Sequence, residues 1–308
     1  MNNYVCVIGG ANIDIIGTPY SRLNEHDSNP GRLSTTLGGV GRNIAENLSK
    51  MGVQVEFISV FGNDNYAREI EENCNELNIG LEHSEIIEKE NTSTYLCINN
   101  EKGEMQLAIS DMGIYEYMTP FFLSSRLHII NNAQACVIDT NIPSVSLDYL
   151  MDNVRVPIFV DTVSKKKTEK IKDFIHNIYA IKPNIYEAEI LSGMSIKSED
   201  DYKLATEIIL DKGVKEIYMS LGSEGVYYTD GKSFGKLPVI SDKIVNTTGA
   251  GDSFLAGVVW AYLNEMDILS CTKAGLAASY ITINSPKTVS ENISEEKIKQ
   301  IIEDNWRN

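Results

Sequence analysis

What most constrains this chain is an alternation, from about residue 127 onward, of short apolar runs with longer helical stretches. Ala135–Ile138, Ile158–Val160, Tyr179–Lys182 and Glu216–Ser220 are largely apolar runs of strand length. Such runs, lacking a polar face, read as strands buried on both sides. The stretches 144–152, 167–177 and 200–211 between them read as helices. Parallel strands need crossover connections, so the pattern calls for a largely parallel sheet covered by helices on both faces.

The first third repeats this logic with one departure. Val5-Cys6-Val7-Ile8 is a buried strand ending in Gly9-Gly10, and Val55–Val60 returns as another. Gly38-Gly39 opens a helix with Ile44 and Leu48 on one face, and a second helix from Asn65 to Leu77 buries Ile70, Cys74 and Leu77. Residues 11–37, in contrast, are polar, contain Pro19, Pro30 and Gly31, and offer only brief strands at Ile13–Ile16 and Arg32–Leu37. Thr92–Ile98 and Gly103–Ser110 flank the polar turn Asn99-Asn100-Glu101-Lys102, a hairpin signal. The expected organisation is one α/β domain over 1–308, with 11–37 and about 90–114 joined as a β lid over the main sheet. A late hairpin, Gly225–Thr229 with Ser233–Leu237 around Asp230-Gly231, precedes helices at 251–263 and 267–284. A last helix begins at Ser294 and packs through Ile298, Ile301, Ile302 and Trp306.

Charge narrows the partners. With 43 acidic residues against 27 basic ones the formal charge is -16, which disfavours nucleic acid and anionic membranes. A phosphorylated ligand would then need local amide dipoles, a few basic groups and a metal ion. No apolar run reaches the roughly 18 to 20 residues of a membrane span. Met1-Asn2-Asn3 leads straight into a core strand, so no secretory signal is expected. Cys6, Cys74, Cys97, Cys136 and Cys271 are scattered and odd in number, which suits a reducing cytoplasm. His26, His83, His128 and His176 are isolated and read as surface or loop residues rather than zinc ligands.

The chemistry concentrates at Gly249-Ala250-Gly251-Asp252, directly before an amphipathic helix. Gly249 and Gly251 let the backbone turn sharply and approach a ligand without a Cβ in the way. The amides freed at the helix start form an anion site favoured by the helix dipole. A carboxylate there, Asp252, can accept the proton of a hydroxyl attacking a γ-phosphate. Neither GxxxxGK[ST] nor GxGxxG occurs.

The segment Asn246-Thr247-Thr248-Gly249-Ala250-Gly251-Asp252-Ser253-Phe254 resembles the C-terminal signature of the PfkB carbohydrate kinase family. Gly38-Gly39-Val40-Gly41-Arg42-Asn43-Ile44-Ala45 and Gly9-Gly10-Ala11-Asn12-Ile13-Asp14 resemble its N-terminal signatures. The resemblance implies a ribokinase-like three-layer α/β/α sandwich with a small β-sheet lid, using ATP and Mg²⁺. It makes Asp252 the base, with Gly249, Ala250 and Gly251 as the anion hole. It places Asn12, Asp14, Gly38, Gly39 and Asn43 around the acceptor's hydroxyls. Arg42 could approach phosphate or substrate, or pair with Glu46 one turn on. Asn246 stands where the family often has Asp near a monovalent-cation site, which leaves K⁺ activation open.

Asn184-Ile185-Tyr186-Glu187 resembles the family's NxxE motif, implying Asn184 and Glu187 as oxygen donors to hydrated Mg²⁺. Ser220, Gly222 and Gly225 resemble the segment bordering ATP, with Thr248 beside it. Asn284 is either an adenine-side residue or a helix-terminal cap. Asn29-Pro30-Gly31, Ser110-Asp111-Met112, Asp161-Thr162-Val163-Ser164 with Lys166, and Val245-Asn246 further resemble the family's pseudouridine kinase branch. That implies phosphorylation of a nucleoside 5′-hydroxyl. Asp111 and Ser110 could read the uracil edge, and Ser164 and Lys166 the same edge or the phosphate. In the alternative, Asp111 is a turn residue and Lys165, Lys166 and Lys167 are solvent-facing charge. Another acceptor (ribose, fructose or adenosine) or a non-catalytic nucleoside-binding protein remain the rival readings. A lid-to-lid homodimer is the expected partner interaction.

Overall fold

The computed structural model describes residues 3–240 and 244–306. In chain order its strands are β1 Tyr4–Ile8, β2 Asn12–Pro19, β3 Gly31–Gly38, β4 Gln54–Ile58, β5 Val60–Gly62, β6 Ile79–Gly80 and β7 Glu85–Ile87. They continue as β8 Thr94–Asn99, β9 Met105–Asp111, β10 Ala135–Asp139, β11 Ile158–Asp161, β12 Ile178–Lys182, β13 Glu216–Ser220, β14 Val226–Thr229 and β15 Phe234–Leu237. The helices are α1 Val40–Lys50, α2 Asn65–Glu76, α3 Pro120–Ser124, α4 Leu127–Ile130, α5 Ser144–Asn153 and α6 Lys165–Thr168. After these come α7 Ile185–Ser192, α8 Glu199–Asp211, α9 Ala250–Leu263, α10 Ile268–Ile283 and α11 Glu295–Trp306.

The large sheet runs β15-β14-β13-β12-β11-β10-β1-β4-β6, parallel from β6 to β13 and antiparallel over the last hairpin. Side chains alternate between its faces. Val5 and Val7 of β1 and Ala135 and Val137 of β10 enter one apolar core, shared with α1, α9 and α10. Cys6, Ile8, Cys136 and Ile138 enter the other, shared with α5, α7 and α8. Two cores on one sheet make the three layers. Residues from 11–37 and 90–114 form a separate sheet, ordered β3-β2-β8-β9. Its hairpins are antiparallel, but β2 and β8 pair parallel because they come from separate passes of the chain.

Three expectations needed correction. Val55–Val60 is not one strand: Ser59 Oγ donates to Gly9 O at 2.7 Å, and the chain leaves the large sheet there to pair Val60–Gly62 with β7. The stretch 167–177 is not a helix. Beyond α6 it proceeds through i→i+3 turns such as Lys170 N to Lys167 O and Phe174 N to Ile171 O. Lys170 Nζ meanwhile donates to the carbonyls of Thr140, Asn141 and Ile142. The histidines are not all isolated either. His83 and His128 pack edge to face with centroids 6.2 Å apart, and His176 lies 3.4 Å from Asp152.

Candidate active site

The strand order reverses between β1 and β10, and ligands of open α/β sheets bind outside the strand C-termini at such a point. Here the ends of β10, β11 and β12 each carry a charge: Asp139, Asp161 and Lys182. Asp139 is fully buried and accepts from the amides of Gly10 at 2.8 Å, Gly41 at 2.7 Å and Asn141 at 2.8 Å. Burial raises its pKa, and the Gly10 and Asn141 amides oppose the rise. It thereby joins the β1 loop to the start of α1. A Cβ on Gly9 would come within 2.4 Å of its carboxylate, so this close approach needs glycine.

On the acceptor side, Asn12 Nδ2 donates to Asp14 Oδ1 at 2.6 Å. Burial raises the Asp14 pKa, while Asn12 and the nearby Arg42 charge lower it. Gly38 packs directly on the Asp14 carboxylate, and Gly39, at φ 97, packs on the Gly10 carbonyl. One helical turn on, Asn43 Nδ2 donates to Asp252 Oδ2 at 2.7 Å, linking α1 to α9. Arg42 does pair with Glu46, at 2.5 Å, and also bonds Asn43.

Gly249 caps α9 in the left-handed region at φ 81, and Asp252 lies in the first turn. The opening amides of a helix have no acceptor four residues back; of those in α9, Ala250 N donates to Thr247 O at a long 3.4 Å. Asp252 keeps a partly exposed edge. Its pKa is pushed up to about 7 by burial and then by the Asp161 charge, against the Asn43 hydrogen bond and the Lys182 charge. Lys182 Nζ lies 3.2 Å from Asp161 Oδ2. Burial disfavours its ammonium, but Asp161, Asp252 and Glu187 outweigh that and hold its pKa above the lysine range. A Cβ on Gly251 would sit 2.9 Å from Lys182 Nζ, so the ammonium lies against the glycine turn. Asp161 Oδ1 accepts from Val163 N at 2.8 Å, which holds Val163 at φ 59. A β-branched residue in that region stores about 1–3 kcal/mol.

Asn184 and Glu187 come together, though not as two residues on one helical face. Asn184 is the N-cap of α7: its Oδ1 accepts from Glu187 N at 3.0 Å, while Glu187 Oε2 accepts from Asn184 N at 2.9 Å. Thr162 Oγ1 donates to the same Glu187 oxygen at 2.6 Å. Among the described residues, no three His, Cys, Asp or Glu side chains converge on a metal position. Partly committed hard oxygen donors fit a hydrated Mg²⁺ that takes its other ligands from phosphates, and do not fit a protein-caged ion.

Two clefts meet at this turn. One, of about 530 Å³, is lined by Lys182, Ser220, Gly222, Gly225, Thr247, Ala250, Gly251, Ser279, Tyr280 and Ile283. The other, of about 580 Å³, runs under the small sheet between Asp14, Thr36, Arg42, Tyr95, Asn246 and Thr248. Several expected residues therefore shift. Thr248 lines the second cleft, and Thr247 lines the first. Asn284 caps α10, with its Nδ2 on Tyr280 O at 2.8 Å, and is absent from the wall that Ser279, Tyr280 and Ile283 form. Asp111 pairs with Thr94, so it falls on the opposite face of the small sheet from Asp14, Tyr95 and Ser110. Ser164 is half-buried at the start of α6 and makes no capping bond. Lys166 is exposed. Lys167 turns inward instead, onto Asn141 Oδ1 and to 3.9 Å from Met112 Sδ at the end of β9. Lys182 and Asp139 carry no site reading in the sequence, and Lys167 reads there only as solvent-facing charge, which its contact with Asn141 corrects.

The fold defines a ribokinase-like protein, with two clefts that meet at the glycine turn before α9. The family model for pfkB family carbohydrate kinases matches residues 2–295. A pseudouridine kinase of Escherichia coli K12 is 34% identical, covering 98% of this chain and 97% of its own length. An uncharacterized sugar kinase of the same strain is 32% identical, covering 94% and 82%. Among solved structures, a Clostridium perfringens protein is 35% identical with a TM-score of 0.89, over 98% of this chain and 96% of its own. Arabidopsis thaliana ribokinase, solved with ribose and ATP, superposes at a TM-score of 0.88 with 22% identity, over 98% and 99%, a likeness of fold. The chain belongs to the pfkB family of carbohydrate kinases, phosphotransferases with an alcohol group as acceptor.

Proposed function

We propose that this chain transfers the γ-phosphoryl group of ATP to the 5′-hydroxyl of pseudouridine. The observation that carries the transfer chemistry is the 2.7 Å bond between Asn43 and Asp252, which joins the start of α1 to the carboxylate in the first turn of α9, beside the glycine turn. The hydroxyl oxygen attacks the γ-phosphorus and the bond to the β-bridging oxygen breaks. ADP leaves, and the hydroxyl proton passes to Asp252. The amides of Gly249, Ala250 and Gly251 and the Lys182 ammonium balance charge on the transferring group. Mg²⁺ bound with the nucleotide would be held through water by Asn184 and Glu187 and would neutralise phosphate charge.

Asn12 and Asp14 hold ribose hydroxyls on the face that Ser110 and Tyr95 share, and Gly38 and Gly39 let the chain close over them. Ser164 and the inward Lys167 are the residues assigned to the uracil edge, a reading supported by the reach of Lys167 to Asn141 and Met112. The small sheet acts as the lid of one domain. Ser220, Gly222, Gly225 and Thr247 take the nucleotide. Asn246 Oδ1 accepts from Thr248 N at 2.9 Å, closing its own turn, so K⁺ dependence is a direct assay on this variant of the motif. The five cysteines are all free and buried, which suits a reducing cytoplasm.

The acceptor rests on the pseudouridine kinase similarity at 34% identity, and a substrate panel tests it. With ATP and Mg²⁺, kcat/KM for pseudouridine is expected to exceed that for uridine, adenosine, guanosine, ribose and fructose by at least about 100-fold, the discrimination that one or two well-placed polar contacts give. A higher value for any of the others would transfer the assignment to that acceptor. Binding of nucleoside without ATP consumption would remove the enzyme reading altogether.

A further inference from the structure

Arg42 is 2% exposed, yet nothing in the transfer step above uses it. Its guanidinium is spent in several directions. Nε donates to Gly38 O at 3.0 Å, and one terminal nitrogen donates to Leu37 O at 2.9 Å. The other terminal nitrogen bonds Glu46 Oε2 at 2.5 Å and Asn73 Oδ1 at 3.1 Å, on α1 and α2. The fifth contact reaches Asn43 Oδ1 at 2.6 Å. A carboxamide has one accepting and one donating end. With its oxygen held by a cationic donor, Asn43 has only its amino group left for Asp252, where it sits at 2.7 Å.

We propose that Arg42 is a positioning residue for phosphoryl transfer, locking the Asn43 carboxamide with its amino group toward Asp252 and tying that orientation to the end of β3. The role rests on Asp252 as the base. Without the guanidinium, the Asn43 amide is free to rotate and present oxygen to the carboxylate, a repulsive contact. Lysine cannot substitute. A compact ammonium lacks the planar fork that reaches Leu37, Gly38, Glu46 and Asn43 together. Leu37 and Gly38 end the β3 strand, so closure of the small sheet over a substrate would reach Asp252 through the same guanidinium.

Asp252 is also faced by Asp161 from β11, Lys182 from β12 and Asp139 from β10, none of which Arg42 touches. The test is the acid limb of the kcat/KM–pH profile for wild type, Arg42→Lys, Asn43→Ala and the double variant. Positioning predicts that Arg42→Lys and Asn43→Ala each move the limb upward by about half to one pH unit and lower kcat about 10- to 100-fold. The double variant should go no further than Asn43→Ala. Glu46→Gln keeps the guanidinium's bonds to Leu37 and Asn43 and should leave the limb in place. An unmoved limb in Arg42→Lys, additive losses in the double variant, or an equal shift in Glu46→Gln would overturn the role. If Arg42→Lys does not fold, Arg42→Gln takes its place with the same expectations. Asp252→Asn separates the two readings: near-normal turnover there removes the base itself. Inactivity there with an unmoved limb in Arg42→Lys removes only the positioning.

Discussion

As the proposed base, Asp252 must be ionised to accept a proton, and it stands where ionisation is disfavoured. Burial and the Asp161 charge push its pKa up to about 7, and Asn43 and Lys182 pull it back. Activity should therefore fall as pH drops through about 7, with a slope of one on log kcat/KM. Stability runs the other way. An aspartate raised in the fold binds its proton more tightly there than in the unfolded chain. Its contribution is present below the ordinary carboxylate pKa and lost as pH rises through 7. Asp252→Asn should thus cost about 10²- to 10⁴-fold in kcat while gaining on the order of 2 kcal/mol of stability at pH 8.5, with no gain at pH 4. Urea melts at the two pH values check the stability arm. Loss of stability at pH 8.5 would mean that the charge is better solvated than its surroundings indicate. The candidate was legible because GAGD sets a carboxylate in the first turn of a helix that opens on glycine, as the fold has it. Lys182 was not, since a lysine ending an apolar run looks like any strand terminus. The signal was collective: three adjacent strands, β10 to β12, each end in a charged residue.

At the level of elements, the two glycines of the α9 turn do different jobs, although their sequence context treats them alike. Gly249 adopts φ 81, and a Cβ there would stand 2.1 Å from the Thr288 carbonyl. Backbone cannot yield cheaply, so Gly249→Ala should destabilise the fold by about 1–3 kcal/mol and displace the helix start. Gly251 has helical backbone, and its Cβ would meet only the end of the Lys182 side chain, at 2.9 Å. Gly251→Ala should keep a near-normal Tm but lower kcat at least about 10-fold by moving the ammonium. Equal Tm losses in the two variants would contradict this division. The same level shows where periodicity stops being informative. The apolar spacing over 167–177 matches a helix, but Lys170 spends its donors on three carbonyls and the backbone settles into turns. Likewise NxxE reads as two ligands on a helix face. In the fold it is first a capping box, because Asn184 precedes the helix instead of lying in it.

For the whole molecule, the question is what covers the small sheet. One of its faces looks into the cleft beneath Asp14 and Tyr95. On the other, the registers align Leu33, Gly17, Ile98 and Leu107 in one row across all four strands, with Ile15, Leu96 and Ile109 in the next. Leu33, Leu107 and Ile109 are 75%, 58% and 57% exposed. The antiparallel pattern of 11–37 and 90–114 was readable from turns and alternation, but this face was not, because strand order and register belong to the assembled sheet. A chain of charge -16 repels its own copies over most of its surface, so association is confined to patches where charge is scarce. We expect a second copy to cover this face, small sheet against small sheet, burying the leucine row from both sides. Leu107→Lys should then convert a dimer into a monomer by light scattering at micromolar concentration. It should also raise the acceptor KM several-fold, since a lid without its support closes less often, while leaving kcat nearly unchanged. A wild type that is monomeric at those concentrations would end the dimer proposal. A monomeric variant with unchanged KM would keep the dimer but separate it from substrate binding.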